Sequence, residues 1–301
     1  FIFYNDGSMP TTAGTADVTI TGDAAKPGFG NKIATGDLNA DGKTDLVVGG
    51  DQNSFGIVYI FYNDGSIPTT AATADVTITG VVASSKFGYT FAMADYNGDG
   101  RFDLGVGSQN VDRVYIFYND GAYPSTNANP DLRINGDETD SDISTSLVAG
   151  DFNGDGKADL VAGANNYGSA DVGRVYFFYS QNGVFNTNQS TLGESSSSWF
   201  ASALTSGDFN ADGRIDFAVG SYGYNPGGAA NTGRAYIFYN DGSIPTTAAT
   251  ADVIITGNAT NDEFGIGITA GDVNADGKTD LIVGAEGYST STGRAYIFYN
   301  D

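Results

Sequence analysis

A nine-residue acidic motif recurs five times along the chain and constrains its fold more than any other feature. The motif has the form Asp-x-Asn-x-Asp-Gly-x-x-Asp, and its copies occupy residues 37–45, 95–103, 151–159, 208–216 and 272–280. Successive copies start 58, 56, 57 and 64 residues apart. Such spacing means that one supersecondary unit of about 60 residues is repeated, which is the signature of arrays and propellers.

Two further segments repeat with the same spacing and complete the unit. An aromatic segment, Val-Tyr-Ile-Phe-Tyr-Asn-Asp-Gly at 58–65, has copies at 114–121, 175–178, 235–242 and 295–301. An alternating segment, Ala-Asp-Val-Thr-Ile-Thr-Gly at 74–80, has copies at 16–22, 251–257 and, more loosely, 130–136. We therefore predict one domain over residues 1–301, with repeat units at 23–80, 81–136, 137–192, 193–257 and 258–301, the last closed by 1–22.

Each unit predicts four short strands. In the first unit these are residues 29–37, 45–49, 57–63 and 75–80. The third is a continuous apolar run, as expected of a strand that is buried on both faces, and the fourth alternates apolar and polar residues. No sustained helical period is present. Evenly spaced four-stranded units are typical of propeller blades. We therefore predict an all-β fold, a β-propeller of five four-stranded antiparallel blades.

The number of strands bears on how the ring closes. The third-strand sequence occurs six times because related segments lie at both ends of the chain, and the fourth-strand sequence is complete only if the weak stretch 183–192 is included. We expect residues 17–21 to supply the fourth strand of the last blade, which leaves 1–5 as a surplus strand. That strand is either displaced or part of a longer array. Because the chain begins with Phe1 rather than Met, we expect a processed or excerpted product.

The acidic motif predicts a calcium-binding loop. Calcium prefers six to eight hard oxygen ligands in a flexible geometry, and the motif offers side-chain oxygens at positions 1, 3, 5 and 9 and a carbonyl at position 7. The loop resembles the start of an EF-hand, but it lacks the Glu at position 12 and strands flank it. The alternative is that these residues only form Asx-turns, which would not require Asp at position 9. Magnesium is the weaker candidate because it demands stricter octahedral geometry.

We expect about five Ca²⁺ ions, one per loop. Each loop carries three Asp and one Lys or Arg, a net charge of −2 that one divalent cation would neutralise. The predicted ligands, with position 7 contributing its carbonyl, are Asp37, Asn39, Asp41, Lys43, Asp45, Asp95, Asn97, Asp99, Arg101, Asp103, Asp151, Asn153, Asp155, Lys157, Asp159, Asp208, Asn210, Asp212, Arg214, Asp216, Asp272, Asn274, Asp276, Lys278 and Asp280.

Composition excludes several classes of function. With 36 acidic and 13 basic residues the formal charge is −23, which disfavours a nucleic-acid partner. The chain has no Cys and no His, so disulfides, thiolate nucleophiles and imidazole bases are absent. No run of eighteen apolar residues is present, so we expect no membrane insertion. We predict that the protein is not an enzyme; the alternative is a hydrolase that uses Asp51 or Glu286.

The order of motifs within each unit resembles the FG-GAP repeat of integrin α-chain propellers and of many secreted bacterial proteins. A Phe-Gly pair stands at 29–30, 87–88 and 264–265, followed by Gly-Asp, the acidic loop and Asp-Leu-x-Val-Gly. The pair is replaced by Ile143-Ser144 and Phe200-Ala201 in the third and fourth units. The resemblance covers essentially the whole chain and implies calcium at the five loops and an extracellular or cell-surface location. Integrin propellers have seven blades, whereas five units are present here.

Propeller geometry separates similar loops from variable ones. One face carries the acidic loops and the nearly identical connections 63–72 and 240–249. The opposite, variable-loop face carries connections of unequal length that contain Tyr residues among Asn, Ser and Gly, a composition typical of adaptable binding loops. These tyrosines are Tyr167, Tyr222, Tyr224 and Tyr288. The alternative is that these loops are only unconstrained surface.

We therefore predict that an extracellular protein or a glycan binds to the variable-loop face, and that the function is adhesion, recognition or extracellular scaffolding. One alternative is a glycan-binding lectin-type propeller. Another is a self-associating filament or surface-layer subunit, because nearly identical units such as 1–22 and 236–257 allow strand exchange between chains.

Overall fold

The chain folds into short antiparallel strands, which confirms the all-β prediction. The structure, a computed structural model, describes residues 1–4, 12–51, 55–137, 141–181, 184–228 and 230–300. Its strands are β1 (Ile33–Gly36), β2 (Asp45–Gly50), β3 (Ile57–Phe61), β4 (Val76–Thr79), β5 (Phe87–Ala94), β6 (Asp103–Ser108), β7 (Arg113–Phe117), β8 (Leu132–Asn135), β9 (Ser146–Gly150), β10 (Asp159–Ala164), β11 (Arg174–Gln181), β12 (Val184–Leu192), β13 (Ala203–Gly207), β14 (Asp216–Ser221), β15 (Arg234–Phe238), β16 (Val253–Thr256), β17 (Phe264–Gly271), β18 (Asp280–Ala285) and β19 (Arg294–Phe298).

Helical structure is limited to single turns within the described ranges. Five are 3₁₀ turns, at Ala13–Thr15, Ala71–Thr73, Gln109–Val111, Pro226–Gly228 and Ala248–Thr250, and one is the four-residue helical turn Tyr288–Ser291. No helix in the part of the chain that the structure describes is long and apolar enough to cross a membrane.

The strands form five sheets in which spatial order follows chain order. Four are four-stranded antiparallel meanders, β1–β4, β5–β8, β9–β12 and β13–β16, and the fifth contains β17–β19. These are the predicted propeller blades. Within the weak stretch predicted at 183–192, residues 184–192 do form a fourth strand, β12, which pairs with β11 through a register shift between Phe177 and Phe178.

The innermost strand of each sheet faces one common cavity of about 310 Å³. The five strands contribute, among others, Ile33, Phe91, Leu147, Leu204 and Ile268 to its lining. All five sheets therefore surround the same centre, with their outer strands directed away from it.

The sheets pack face to face through the alternating side chains of their third strands. In β3, Val58 and Ile60 pack against Phe87 of the second sheet. Tyr59 and Phe61, which point the other way, belong to a separate cluster on the opposite face. A continuous apolar run is needed because both faces of the strand are buried.

The Phe-Gly element joins neighbouring sheets at the backbone. Gly56 forms a parallel bridge to Phe87 at the start of the next sheet, and Gly233 does the same with Phe264. Gly56 has φ +81, and a Cβ there would lie 2.1 Å from the Phe87 carbonyl oxygen. Only glycine permits this approach between the two backbones.

Residues near the N-terminus pair with one another. Ile2 bridges Val18 in antiparallel fashion, and the Tyr4 N–H donates to Asp17 Oδ2 at 2.8 Å. This repeats the bond from Tyr62 to Asp75 in the first sheet. The fifth sheet has three strands among the described residues, and closure of the ring by residues 17–21 stays a prediction. Residues 5, 183 and 301 of the predicted strands lie outside the described ranges.

Candidate metal centres

Each acidic loop joins the first strand of a sheet to the second, so all five occupy equivalent places. In the first sheet the loop follows β1 and ends at Asp45, the first residue of β2. The other four loops likewise end on the first residue of their second strand, namely Asp103, Asp159, Asp216 and Asp280.

Positions 1, 3 and 5 turn their oxygens into the loop. In the first loop, Asp37 Oδ1 and Asn39 Oδ1 both accept the Asp41 N–H, at 3.1 and 3.0 Å. Asp37 Oδ2 accepts the Gly42 N–H at 2.9 Å, and Asp41 Oδ1 accepts the Lys43 N–H at 2.9 Å. The other four loops repeat this pattern. Two oxygens that share one donor are held close together, so the first two predicted ligands of each loop converge.

Left-handed backbone at positions 4 and 6 produces this convergence. In the first loop Ala40 has φ 60 and Gly42 has φ +83. A Cβ added to Gly42 would meet no atom within 4 Å, so glycine is needed there for its conformation and not for space.

Position 9 has a different environment because its carboxylate is buried and bonded to backbone on both sides. Asp45 Oδ2 accepts the Leu38 N–H at 2.7 Å, and Asp45 Oδ1 accepts the Asn63 N–H at 2.8 Å. Equivalent pairs of bonds are made by Asp103, Asp159, Asp216 and Asp280. This residue therefore fastens the loop to the end of the third strand of its own sheet.

Burial shifts the proton equilibria of several position-9 residues. It raises the pKa of Asp103 and of Asp159 to about 6, although backbone N–H bonds to each carboxylate act in the opposite direction. Burial also raises the pKa of Asp45 and of Asp216 above the ordinary range. At position 5, the backbone N–H of Lys43 is the main cause that lowers the pKa of Asp41.

The side chains at position 7 are directed elsewhere. Lys43 Nζ lies 3.5 Å from Asp41 Oδ2, and Arg101 and Arg214 donate to the Asn119 and Asn240 carbonyls at 3.4 and 3.2 Å. This is compatible with the prediction that position 7 would contribute only its carbonyl oxygen.

The donor set of each loop fits calcium in its chemistry. Within the described ranges, no group of three or more acidic side chains is placed to hold a metal by carboxylates alone. Positions 1, 3, 5 and 7 offer two carboxylates, one amide oxygen and one main-chain carbonyl, all hard oxygen donors. The position-9 carboxylate, which here accepts two backbone N–H groups, is a third carboxylate at the end of the same loop. The turn bonds expected of the Asx alternative are also present, but each carboxylate oxygen can accept more than one bond, so these bonds leave acceptor capacity free.

Among the described residues, a hydrogen bond joins each of the first four loops to the next sheet, and the sequence motifs did not predict it. The donor is the side chain of the residue that directly follows the Phe-Tyr pair of the third strand. The acceptor is the main-chain carbonyl at position 2 of the acidic loop in the preceding unit. Asn119 Nδ2 donates to the Leu38 carbonyl at 2.7 Å, and Asn240 Nδ2 donates to that of Phe152 at 2.8 Å. Ser180 and Asn300 donate in the same way to Tyr96 and Phe209, at 2.5 and 2.8 Å. The signal was available, since Asn or Ser recurs at this place in every unit.

On the variable-loop face, arginines at the start of the third strands cover tyrosine rings. The guanidinium carbons lie 3.6 to 3.7 Å from the ring centroids. The pairs are Arg174 with Tyr167, Arg234 with Tyr224, and Arg294 with Tyr288. At this distance the cation lies directly on the ring, so one face of each tyrosine is already in contact.

Two of these arginines also meet an acid that opens their own repeat unit. Arg174 pairs with Asp137 at 3.4 Å, and Arg234 pairs with Glu194. The Tyr236 hydroxyl donates to Glu194 at 2.8 Å, and burial, together with this charge, raises the pKa of Tyr236.

The fourth predicted tyrosine has an aromatic partner instead. Tyr222 stacks on Trp199 with ring centroids 5.2 Å apart and planes inclined by 3°. Both side chains are half-buried, so the stack contributes a partly exposed flat apolar surface to the variable-loop face.

Comparison with known proteins identifies the repeat. The FG-GAP repeat matches residues 144–178, 200–238 and 264–298, and an FG-GAP-like repeat matches residues 37–106. Phosphatidylinositol-glycan-specific phospholipase D of Rattus norvegicus is 32% identical over 200 residues, which cover 57% of this chain and 24% of that protein. Integrin alpha-5 of Xenopus laevis is 29% identical over 215 residues, covering 65% of this chain and 20% of that protein. Integrin alpha-PS2 of Drosophila melanogaster is 33% identical over 168 residues, covering 53% of this chain and 12% of that protein. The matched regions thus span a quarter or less of these relatives.

Proposed function

Because the chain belongs to the FG-GAP repeat family, we propose that it is a calcium-stabilised propeller that acts outside the cell in adhesion, recognition or scaffolding, without catalysis. The observation that carries this proposal is the recurrence of one oxygen-rich loop, with one hydrogen-bond pattern, at the same place in all five sheets. A loop that only turned the chain within its own sheet would not require Asn at position 3 and Asp at positions 1, 5 and 9 in all five copies.

Calcium would be held by the side chains at positions 1, 3 and 5, the carbonyl at position 7 and the carboxylate at position 9. Its chemical contribution would be to neutralise and cross-link these oxygens. The five loops contain fifteen Asp and five Lys or Arg, a formal charge of −10. Five divalent ions would offset this charge and leave about −13 on the chain, so the repulsion within each loop would be removed.

An ordered loop would also stabilise the junction with the following sheet. Position 2 of each loop lies between the position-1 and position-3 ligands, and in the first four loops its carbonyl accepts the inter-sheet bond from the next unit. Holding positions 1 and 3 on an ion would therefore fix the acceptor to which the next sheet bonds. Calcium would then stabilise sheet packing as well as the loop itself.

We place the partner, an extracellular protein or a glycan, on the variable-loop face. A glycan is favoured by one specific observation, the Trp199–Tyr222 stack, because a flat apolar surface surrounded by polar loop residues suits one face of a sugar ring. Since Tyr167, Tyr224 and Tyr288 each carry an arginine on one face, they would contribute less to such a site. The expected site is then a single one, at the fourth sheet. A glycan array probed with the chain and with Tyr222→Ala tests it, and equal binding by both would contradict this placement.

The absence of catalysis is part of the proposal. Relatives include both a phospholipase D and integrins, and the match covers a quarter or less of each. The chain has no His or Cys to act as base or nucleophile. Incubation with a phosphatidylinositol-glycan substrate is expected to give no turnover. Turnover that disappears in Asp51→Ala or Glu286→Ala would contradict the proposal.

Thermal unfolding with calcium and with a chelator tests the metal. A ligand that binds only the folded state stabilises it by about 2.7 kcal/mol per site at one hundred times its Kd. We expect a large upward shift in the unfolding midpoint with calcium, and bound calcium by elemental analysis. Asp208→Ala should reduce both, whereas Asp241→Ala, which removes an exposed acid outside the loops, should reduce neither. An unchanged midpoint and no bound metal would contradict the proposal.

A further inference from the structure

The segments between the third and fourth strands, here called connectors, join adjacent sheets at their outer edges. They comprise residues 62–75 in the first sheet, 118–131 in the second and 239–252 in the fourth. Each forms a parallel bridge to an earlier segment of the chain. Thr126 bridges to Thr79 at the end of β4, Thr247 bridges to Leu192 at the end of β12, and Thr70 bridges to Thr21, which lies outside the named strands. Their backbone hydrogen bonds measure 2.8 to 3.1 Å.

Next to the bridge, the first and fourth connectors insert one small residue between the two sheets, whereas the second inserts the buried Asn127. Ala71 and Ala248 follow the bridging threonines, begin identical 3₁₀ turns and are 2% and 0% exposed. Ala71 packs in the cluster of Tyr59 and Phe61, and Ala248 packs in that of Tyr236 and Phe238. The inserted turn thus covers the two aromatic residues of its own third strand.

The third sheet has no such connector. Only residues 182 and 183 separate β11 from β12, so nothing equivalent reaches back to β8. In the described part of the chain, Asn135 at the end of β8 bonds through its backbone to no neighbouring sheet. Phe185 compensates in part by packing edge-on against Tyr96, at 5.4 Å between centroids.

A groove of about 470 Å³ lies where the connector would have packed. It is lined by Asn135 of the second sheet and by Ile143, Tyr176, Phe178 and Ser190 of the third, among others. Tyr176 and Phe178 correspond to the aromatic pairs that Ala71 and Ala248 cover elsewhere. The groove therefore combines an open strand end with an aromatic floor that is slightly more exposed than its covered counterparts. Tyr176 and Phe178 are 6% and 4% exposed, against 1% and 0% for Tyr59 and Phe61. The Asp137–Arg174 ion pair lines the groove as well.

The same turn occurs once more in the chain, and there it is exposed. Ala13–Thr15 is a 3₁₀ turn preceded by Thr12, whose φ and ψ of −137 and 143 match the −141 and 141 of Thr70. Its sequence, Thr-Ala-Gly-Thr, differs from Thr-Ala-Ala-Thr at 70–73 at one position. Unlike Ala71, however, Ala13 is exposed.

We propose that the groove between the second and third sheets binds the Thr12–Thr15 turn of a second copy of this chain. Thr12 would bridge to Asn135 as a short parallel strand, and Ala13 would cover Tyr176 and Phe178. This is strand addition to an open edge combined with a matching pocket.

The occupant comes from a second copy because the turn of the same chain is held elsewhere. Residues 12–21 are attached to the first sheet through Thr21 and Thr70. That bridge lies on the face of Tyr59 and Ile20, opposite the face that packs on the second sheet. The groove lies beyond the second sheet, so the turn would have to leave its own sheet to reach it.

Pairing of this kind joins two different surfaces of the chain and so produces head-to-tail assemblies instead of closed symmetric dimers. A four-residue turn buries much less than the roughly 800 Å² per partner of stable complexes, so the association is weak and depends on concentration. It does not involve the Trp199–Tyr222 stack of the fourth sheet, so its failure would leave the proposed recognition function standing.

The test measures the mass of the calcium-loaded chain by analytical ultracentrifugation up to about 1 mM, the range in which weak contacts are populated. We expect reversible growth beyond the monomer. The probe is a synthetic peptide with the sequence of residues 66–76, which contains the equivalent Thr70–Thr73 turn of the first connector. It should bind the chain in calorimetry and dissociate the assemblies, whereas a scrambled peptide should not. Ala13→Arg on the turn and Ser190→Trp in the groove should each weaken assembly by about tenfold or more.

Ala72→Arg is the matched control, because it places the same charge at an exposed position of the first connector. A chain that stays monomeric at every concentration would overturn the proposal. If the peptide binds but the chain never assembles, a second copy is not the occupant of the groove. If Ala13→Arg leaves the assemblies unaffected, the Thr12–Thr15 turn is not the segment that binds. If Ser190→Trp unfolds the chain, peptide competition on the unmodified chain decides the outcome.

Discussion

Replacing Asn240 by Ala tests whether the loops hold neighbouring sheets together. Asn240 Nδ2 donates to the Phe152 carbonyl at 2.8 Å and to the Ile215 carbonyl at 3.2 Å. The backbone N–H of Asn240, which donates to Asp216 at 2.7 Å, is retained in the variant. The substitution therefore removes the inter-sheet bond while the loop stays attached to its own strand.

The expected loss follows from burial at both ends of the bond. Asn240 is 7% exposed and Phe152 is 2% exposed, so water cannot readily replace the missing donor. A buried carbonyl left without a donor costs about 1–3 kcal/mol, and the second, longer bond contributes up to about 1 kcal/mol more. We expect the free energy of unfolding to fall by roughly 2–3 kcal/mol.

Urea unfolding followed by fluorescence of Trp199, the single tryptophan, measures this loss near the affected junction. Asn63→Ala is the matched control, because Asn63 occupies the same place in the first sheet and its N–H also donates to its own position-9 residue, Asp45. Within the described ranges, its side chain bonds to no other sheet. The control should lose less than about 0.5 kcal/mol. Equal losses in the two variants would refute the inter-sheet role.

Three further substitutions, two of them each paired with a comparison variant, test other contacts by the same unfolding assay. Glu194→Gln leaves Arg234 and Tyr236 without their half-buried anionic partner and should lower the free energy of unfolding by about 3 kcal/mol. Asp137→Asn, at the more exposed equivalent pair, should lower it by less than about 1 kcal/mol. Gly213→Ala places a side chain on a residue with backbone φ +85, with open space around the Cβ, and should lower the free energy of unfolding by about 1–2 kcal/mol. Gly271→Ala also adds a Cβ in open space but at no positive φ, so it should lower the free energy of unfolding by less. Gly233→Ala places a Cβ 2.1 Å from the Phe264 carbonyl oxygen and should cost more than about 3 kcal/mol. Equal losses in either pair, or a neutral Gly233→Ala, would contradict these assignments.

Features set by local pattern could be predicted from the sequence. The repeat spacing and strand alternation were sufficient to predict the antiparallel four-stranded sheets, including β12, which has a weak sequence pattern. Strand ends were less accurate. The first strand was predicted over residues 29–37, but β1 contains only Ile33–Gly36, although its equivalent β5 begins at Phe87.

Features that depend on contact between units could not be predicted. That the position-9 Asp is a metal ligand stays a prediction. The motif did not reveal that its carboxylate accepts two backbone N–H groups of its own sheet, which become neighbours only when the strands pair. The tyrosines of the variable loops were interpreted as binding residues. Three of them pack under arginines whose positions are fixed by strand register, a property that the composition of a loop does not reveal.

The direction of the inter-sheet bonds has a consequence for how such a protein changes in length. At each of four junctions the later unit supplies the donor, after its third strand, and the earlier unit supplies the acceptor, in its acidic loop. A duplicated unit inserted between two others would bring both halves of the contact, so each new junction would be complete without any compensating substitution. Gene duplication can therefore add units to this scaffold one at a time, while a deletion inside the array rejoins a donor to an acceptor of the same kind.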